Sequence, residues 1–208
     1  MIESFGLYLV ITDPIAGYDA CTKAAVDCGL RYVQLRMKDS DRNEIIRVGK
    51  RMRAITRDTA TRFILNDDVD AASEVDADGV HLGQTDMPLD EARRRWPASR
   101  HKIFGISTHD EHQAQEAMRR SPDYIGVGPV FTTPTKQVPD PVLGVERCAG
   151  VIRAAKVTSV AIGGLNPTRL SRLLAAGVRN FAVVRYVCRH PRPIEPIREL
   201  MRLWREYC

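Results

Sequence analysis

Short runs of apolar and β-branched residues alternate along the chain with longer amphipathic segments. The short runs are typical of buried strands, and apolar residues three or four positions apart are typical of helices. This pattern predicts strands over Leu7–Ile11, Tyr32–Arg36, Phe63–Leu65, Gly79–Leu82, Ile103–Ile106, Tyr124–Val127, Ser159–Ile162 and Phe181–Val184. It predicts helices over Ala20–Cys28, Asn43–Arg57, Val69–Glu74, Leu89–Arg95, His112–Arg119, Val145–Ala155, Thr168–Ala175 and Ile194–Arg205.

These elements form eight strand–helix units, and 208 residues leave about 26 residues for each unit. Strands that alternate with helices pair in parallel, and eight such units fit a closed (β/α)8 TIM barrel. An open, doubly wound sheet is the alternative architecture. Because no linker or change of composition divides the chain, we expect residues 1–208 to form one barrel domain.

The composition, with 44% hydrophobic and 27% charged residues, is that of an ordinary globular domain and excludes disorder as the main state. No apolar stretch approaches the ~20 residues of a membrane-spanning helix, and no secretory leader is recognisable. The formal net charge is +5, but the basic residues alternate with acidic ones in the predicted helices. This arrangement favours a solvated surface over a nucleic-acid or membrane partner.

The cysteines are odd in number and none is spaced C-x-x-C, which argues against a disulfide framework and a structural zinc site. They are Cys21, Cys28, Cys148, Cys188 and Cys208. We therefore expect reduced thiols and a cytoplasmic location. The oligomeric state stays open, with a homo-oligomer as one alternative.

Candidate chemistry gathers where the predicted strands end, which is where a parallel barrel builds its active site. Gln34, Arg36 and Lys38 share one face of the second strand by alternation, and two cations with an amide suit a polyanion such as diphosphate. A salt bridge to an acid inside the barrel is the alternative interpretation.

Acidic residues follow the third and fourth strands. Asp67 and Asp86, beside Asn66, predict a magnesium site, because magnesium bridges one or two carboxylates to substrate phosphate. The alternative is that Asp67 or Asp68 caps a helix and that Asp86 is an ordinary loop acid. We expect His81 to be a packed or hydrogen-bonded barrel residue.

Hydroxyl groups and a lysine follow the fifth and sixth strands. Ser107 is placed to donate to a phosphate oxygen, and the proline-bearing segment after the sixth strand ends in Lys136. That segment is long for a loop of this kind, and long loops tend to be functional. A plain surface loop with turn residues is the alternative.

A second anionic site is predicted after the seventh and eighth strands. Gly163 and Gly164 let backbone N–H groups approach a phosphate, and Val184 and Arg185 end the eighth strand. One site that suits a metal-bound diphosphate and another that suits a single phosphate point to a transferase with two phosphorylated substrates. Diphosphate would be the leaving group.

In these same motifs the sequence resembles the thiamine phosphate synthase (thiamine-phosphate pyrophosphorylase) family. The matching motifs are Leu7–Val10, Val33–Lys38, Asn66–Asp67, Ala77–Asp86, Gly105–His109, Asp123–Phe131, Thr133–Lys136 and Ala161–Gly164. The resemblance implies a (β/α)8 barrel in thiamine biosynthesis. It would couple 4-amino-2-methyl-5-hydroxymethylpyrimidine diphosphate to a thiazole phosphate, or its carboxylated form, giving thiamine phosphate and diphosphate.

The resemblance also assigns site residues. It implies that the pyrimidine diphosphate is bound by Gln34, Leu35, Arg36, Met37, Lys38, Asn66, Ser107 and Lys136. It implies that the thiazole phosphate is bound by Thr133, Pro134, Thr135, Gly164, Val184 and Arg185. Asp67 and Asp86 would hold Mg²⁺, and the catalytic set would be Arg36, Lys38, Ser107 and Lys136. The implied mechanism is dissociative: diphosphate leaves first, and the thiazole nitrogen captures the pyrimidine methylene cation.

Many members of that family have a serine where this chain has Arg185, so this residue either strengthens the phosphate grip or crowds the pocket. Two alternatives share the barrel: a thiazole tautomerase with His109 as acid–base, and a non-catalytic sensor of thiazole or thiamine phosphate. Neither would need Arg36, Lys38, Asp67 and Asp86 together.

Overall fold

The structure is a computed structural model that describes residues 4–96, 99–135 and 140–208. Eight parallel strands close into a barrel in chain order, with β8 returning to pair with β1. The strands are β1 Gly6–Ile11, β2 Tyr32–Leu35, β3 Arg62–Asn66, β4 Gly79–Leu82, β5 Ile103–Thr108, β6 Tyr124–Val127, β7 Thr158–Ile162 and β8 Asn180–Val183. The predicted (β/α)8 class is confirmed, and the doubly wound alternative is wrong because the sheet has no edge.

Helices follow the strands and cover the outside of the barrel. They are α1 Tyr18–Asp27, α2 Arg42–Thr56, α3 Val69–Glu74, α4 Leu89–Arg95, α5 Glu111–Arg119, α6 Gly144–Ala154, α7 Pro167–Ala175, α8 Arg185–Cys188 and α9 Ile194–Arg205. A 3-10 turn spans Ser99–His101. The sequence predicted every helix except α8, whose four residues are too few to show a helical period. β8 ends at Val183, so Val184 and Arg185 belong to the entry of α8 and not to the strand.

Alternation along each strand divides the apolar side chains between two cores. Leu7, Leu9 and Ile11 of β1 pack outward against the helices, whereas Tyr8 and Val10 belong to a second cluster inside the barrel. None of the helices in the described part of the chain is long and apolar enough to cross a membrane.

Candidate active site

A cavity of about 450 Å3 opens at the carboxyl ends of the strands. Ten of the predicted site residues line it: Gln34, Arg36, Asn66, Ser107, Thr133, Pro134, Thr135, Gly164, Val184 and Arg185. Parallel strands bring these residues to one end of the barrel although they are up to 151 positions apart in the sequence. The residues predicted for two separate anions therefore share one cavity.

Five of the described site residues do not line this cavity: Leu35, Met37, Lys38, Asp67 and Asp86. Leu35 follows Gln34 on β2, so its side chain points to the opposite side of the sheet and is buried in the outer core. Met37 is half-buried and packs against the same core. Any contact that Leu35 makes with a ligand would therefore have to come from its backbone. Lys136 lies outside the described residues.

The two predicted metal carboxylates lie beside each other at the ends of β3 and β4. Burial and the neighbouring Asp86 carboxylate raise the pKa of Asp67 to about 6, and Lys38 partly opposes this. The Lys38 ammonium lies 3.2 Å from Asp67 Oδ2, and the Gly83 N–H donates to Asp86 Oδ2 at 2.6 Å. The arrangement therefore has two close carboxylates and one adjacent cation.

The same turn resolves which aspartate caps the next helix. Asp68 is the N-cap of α3, and its Oδ1 accepts from Ala71 N–H at 2.8 Å. Asp67 has a left-handed backbone (φ +66°) and its N–H donates to the carbonyl of His81. This leaves the Asp67 carboxylate available to face Asp86.

Arg36 is the cation that lines this end of the cavity. Its backbone is fixed by two bonds, from Arg36 N–H to Ile11 O at 3.0 Å and from Thr12 Oγ1 to Arg36 O at 2.9 Å. Among the described acidic residues, none pairs with its guanidinium within 4 Å. Lys38 thus forms a salt bridge with Asp67, but at the rim of the barrel, where the Lys38 side chain is 46% exposed, and not inside it.

Polar side chains connect the cavity to the barrel interior. His81 Nε2 is 2.8 Å from Ser107 Oγ, and His81 Nδ1 is 2.9 Å from Tyr124 Oη. Tyr124 Oη is 2.9 Å from Tyr8 Oη, which accepts from Gln34 Nε2 at 2.9 Å. Burial lowers the pKa of His81 to about 4 and raises the pKa of both tyrosines. His81 is hydrogen-bonded inside the barrel, as the sequence predicted.

The opposite end of the cavity is built by the loops after β7 and β8. Gly163 (φ +111°) and Gly164 (φ +66°) both adopt backbones that disfavour side chains, and a Cβ on Gly163 would lie 2.6 Å from Pro129 Cα. Asn166 caps α7 by accepting from Arg169 N–H. The loop is thus held tightly against the segment that follows β6.

Cations that the sequence analysis did not select also line this end. Arg169 Nη1 donates to Gly164 O at 2.7 Å, and its guanidinium lies over the Phe131 ring. Arg189, directly after α8, lines the cavity as well, as does the predicted Arg185. Arg169 lies in the first turn of α7, where the helix dipole disfavours a cation, so its position is not explained by the stability of the helix.

The sequence predicts a role for His109 only as the acid–base group of a tautomerase, and it predicts no partner for the side chain. His109 Nδ1 is 2.7 Å from Gly128 O, and Nε2 is 3.6 Å from Asp140 Oδ2. Both side chains line the cavity between its two ends. Helix α5 begins two residues later, with Asp110 as its N-cap.

Comparison with known proteins gives a consistent assignment over nearly the whole chain. A family model described as thiamine monophosphate synthase (TMP-TENI) matches residues 7–187. Thiamine-phosphate synthase of Archaeoglobus fulgidus is 35% identical over 208 residues, covering 99% of this chain and 97% of the relative. The Vibrio campbellii enzyme of the same name is 36% identical, covering 98% and 100%.

A solved structure is similar in fold as well as in sequence. Thiamine phosphate pyrophosphorylase from Pyrococcus furiosus superposes with a TM-score of 0.88 at 31% identity. The match covers 98% of this chain and 96% of that one. On these matches, the chain belongs to the thiamine monophosphate synthase family.

Proposed function

We propose that this protein condenses 4-amino-2-methyl-5-hydroxymethylpyrimidine diphosphate with a thiazole phosphate, or its carboxylated form, to give thiamine phosphate and diphosphate. The observation that carries the proposal is the division of one cavity into two ends suited to anions. One end is lined by Arg36, with the Asp67 and Asp86 carboxylates and Lys38 close by at the ends of the strands, and the other has the Gly163–Gly164 loop with its guanidinium groups. A reaction that joins two phosphorylated small molecules needs this arrangement.

The first end is assigned to the diphosphate. Arg36 and Lys38 would bind its oxygens, Asn66 and Ser107 would donate hydrogen bonds to it, and Gln34 would contact the pyrimidine side. Lys136 keeps its predicted role as a further cation. Leu35 keeps a role only through its backbone, because its side chain is buried in the outer core, and the half-buried Met37 keeps its predicted role.

The residues present fit Mg²⁺. Two adjacent carboxylates, one of them with a raised pKa, are the donor set that a divalent cation would keep fully ionised. Among the described residues no cluster of three or more His, Cys, Asp or Glu donors exists, and Mg²⁺ needs no more than one or two carboxylates with water and phosphate. Held by Asp67 and Asp86, it would neutralise charge on the departing diphosphate.

The second end is assigned to the thiazole phosphate. Thr133, Thr135 and the N–H groups around Gly164 and Arg185 would donate to the phosphate oxygens, with Pro134 and Val184 shaping the pocket. Thr133 Oγ1 and Thr135 Oγ1 lie 3.0 Å apart and are hydrogen-bonded to each other, so both hydroxyls lie in the same part of the cavity wall. Arg185 is exposed at the cavity wall and would strengthen the grip.

A dissociative mechanism needs no nucleophile from the protein. No cysteine lines the cavity in the described part of the chain, and burial raises the pKa of the Cys21, Cys148 and Cys188 thiols. The role of the protein would be to align the two substrates, to exclude water and to stabilise the leaving group with fixed positive charge.

The experiment that tests the function is a coupling assay. Purified protein is mixed with pyrimidine diphosphate, thiazole phosphate and Mg²⁺, and thiamine phosphate is detected as fluorescent thiochrome phosphate. Product that disappears with EDTA is the expected result. Absence of product at full Mg²⁺, with thiazole phosphate still bound, would overturn the proposal and leave the tautomerase or the sensor.

Two finer expectations belong to the same proposal, one catalytic domain over residues 1–208 and a cytoplasmic location, and the assembly is either a monomer or a homo-oligomer. The five free cysteines are compatible with a reducing compartment. Cell fractionation measures the location, and light scattering measures the mass of the assembly.

A further inference from the structure

A single chain of hydrogen bonds runs through the barrel interior and begins and ends at the diphosphate end of the cavity. It leads from Gln34 through Tyr8, Tyr124 and His81 to Ser107, with heavy-atom distances of 2.8 to 2.9 Å. Gln34 and Ser107 line the cavity, whereas the tyrosines are 2% and 4% exposed. The two tyrosines are therefore largely shielded from water, whereas His81 lines the cavity together with Gln34 and Ser107.

The interior is shaped to hold these rings. A side chain on Gly105 would overlap the Tyr124 ring, and a Cβ on Gly126 would lie 3.5 Å from His81 Cε1. The His81 and Tyr124 rings stack at 5.5 Å with an interplanar angle of 24°. Gly105 on β5 thus opens the space for the Tyr124 ring, whereas a Cβ at Gly126 on β6 would make only an ordinary contact with His81.

The chain has one direction because each hydroxyl has one proton to donate. With Gln34 Nε2 as the donor to Tyr8, every buried proton has an acceptor only if Tyr8 donates to Tyr124 and Tyr124 donates to His81 Nδ1. An imidazole that accepts at Nδ1 carries its proton on Nε2 and donates it to Ser107 Oγ. The proton of Ser107 itself takes no part in the chain.

We propose that Tyr8, Tyr124 and His81 are positioning residues that make Ser107 a hydrogen-bond donor to the substrate diphosphate. An anionic ligand requires a donor, and Ser107 supplies one only when its oxygen already accepts from His81. If the amide oxygen and nitrogen of Gln34 exchanged places, the donor and acceptor of every bond in the chain would be reversed. Ser107 would then donate its proton to His81 and not to the ligand. The inference rests on the proposed function of this end of the cavity.

The test is a double-mutant cycle with Tyr124→Phe and Ser107→Ala, in which kcat, KM and the affinity for inorganic diphosphate with Mg²⁺ are measured. Ser107→Ala should lower kcat roughly a hundredfold, the value of one lost donor to developing charge. Tyr124→Phe should lower kcat roughly three- to tenfold, the value of one neutral hydrogen bond. Added to Ser107→Ala, it should have almost no further effect.

Tyr32→Phe is the matched control, because the Tyr32 ring contacts the same cluster and its hydroxyl is not a member of the chain. It should leave kcat unchanged. Equal losses from Tyr124→Phe in both backgrounds would show a merely structural role and overturn the inference. A wild-type protein that neither turns over nor binds diphosphate would instead overturn the proposed function.

A second pair of variants covers the case in which Tyr124→Phe does not fold. The amide nitrogen of glutamine can take the place of His81 Nε2 and donate to Ser107, whereas that of asparagine is too short to reach it. His81→Gln should therefore retain at least fivefold more kcat and diphosphate affinity than His81→Asn. Equal values in the two variants would contradict a role through Ser107.

Discussion

Asp67 and Asp68 are consecutive in the sequence, but they have different neighbours and different roles. Asp67 lies beside the Asp86 carboxylate, and Asp68 caps a helix. The pKa of Asp67 is raised to about 6 because it is buried against Asp86, whereas Asp68 faces the first turn of α3 and satisfies a helix N–H. The sequence could not tell Asp67 from Asp68, because both precede the helix. The left-handed backbone at Asp67 decides between them.

Replacing Asp86 tests the metal assignment. Asp86→Asn should raise the Mg²⁺ concentration for half-maximal activity about tenfold or more, since one of the two anionic ligands is lost. Asp68→Asn is the control: asparagine caps helices as well as aspartate does, so stability and Mg²⁺ dependence should both change little. An Mg²⁺ titration of thiamine phosphate formation measures both, and an unchanged midpoint in Asp86→Asn would contradict the assignment.

His81 predicts how stability depends on pH. Burial lowers its pKa from the ordinary 6.5 to about 4 in the folded protein. Between these two pH values the unfolded chain therefore binds one proton that the folded protein does not. The stability due to a neutral His81 is complete above pH 6.5 and is lost as the pH falls toward 4, by up to about 3 kcal/mol.

His81→Gln removes this titration. Urea unfolding at several pH values should show the free energy of unfolding rising from pH 4 to 6.5 more steeply in the wild type than in the variant. Parallel profiles would mean that the imidazole is not held neutral by burial.

At the scale of elements, periodicity predicted sixteen strands and helices, and the boundaries moved by few residues. Helix α2, which Asp41 caps, and helix α9, which has a marked apolar stripe, were the easiest to predict. Helix α8 was missed because four residues after a strand carry no period, and its start at Arg185 moved two candidate residues out of β8. The roles of Arg169 and Arg189 depend on how α7 and α8 point to the cavity, which the sequence pattern does not contain.

The loop between β7 and α7 gives a prediction with an internal control. Gly163→Ala should lower the free energy of unfolding more than Gly177→Ala does. Both glycines have positive φ, but only at Gly163 would the new Cβ also collide with backbone, that of Pro129. Gly177→Ala should cost about 1–2 kcal/mol from conformation alone. Thermal unfolding measures the difference, and Gly163→Ala should in addition raise KM for thiazole phosphate. Equal costs would contradict the close approach to Pro129.

For the whole molecule, the number of units predicted barrel closure, and closure placed the candidate residues around one opening. The interior hydrogen-bond chain could not be predicted in this way. It depends on the register between β1, β2, β4, β5 and β6, which brings Tyr8 and Tyr124 together from 116 positions apart. A tyrosine in a strand pattern indicates only that the position is half-apolar.

Two separate ligand ends in one barrel should stabilise it independently. At a hundred times Kd, diphosphate with Mg²⁺ or thiazole phosphate should each add ~2.7 kcal/mol. At ~2–4 °C per kcal/mol for a chain of this size, this raises Tm by about 5–10 °C. Asp86→Asn should lose the first shift and keep the second, and Gly163→Ala should do the reverse. If either variant lost both shifts while folded, the two anions would share one site, and the division of the cavity into two ends would be wrong.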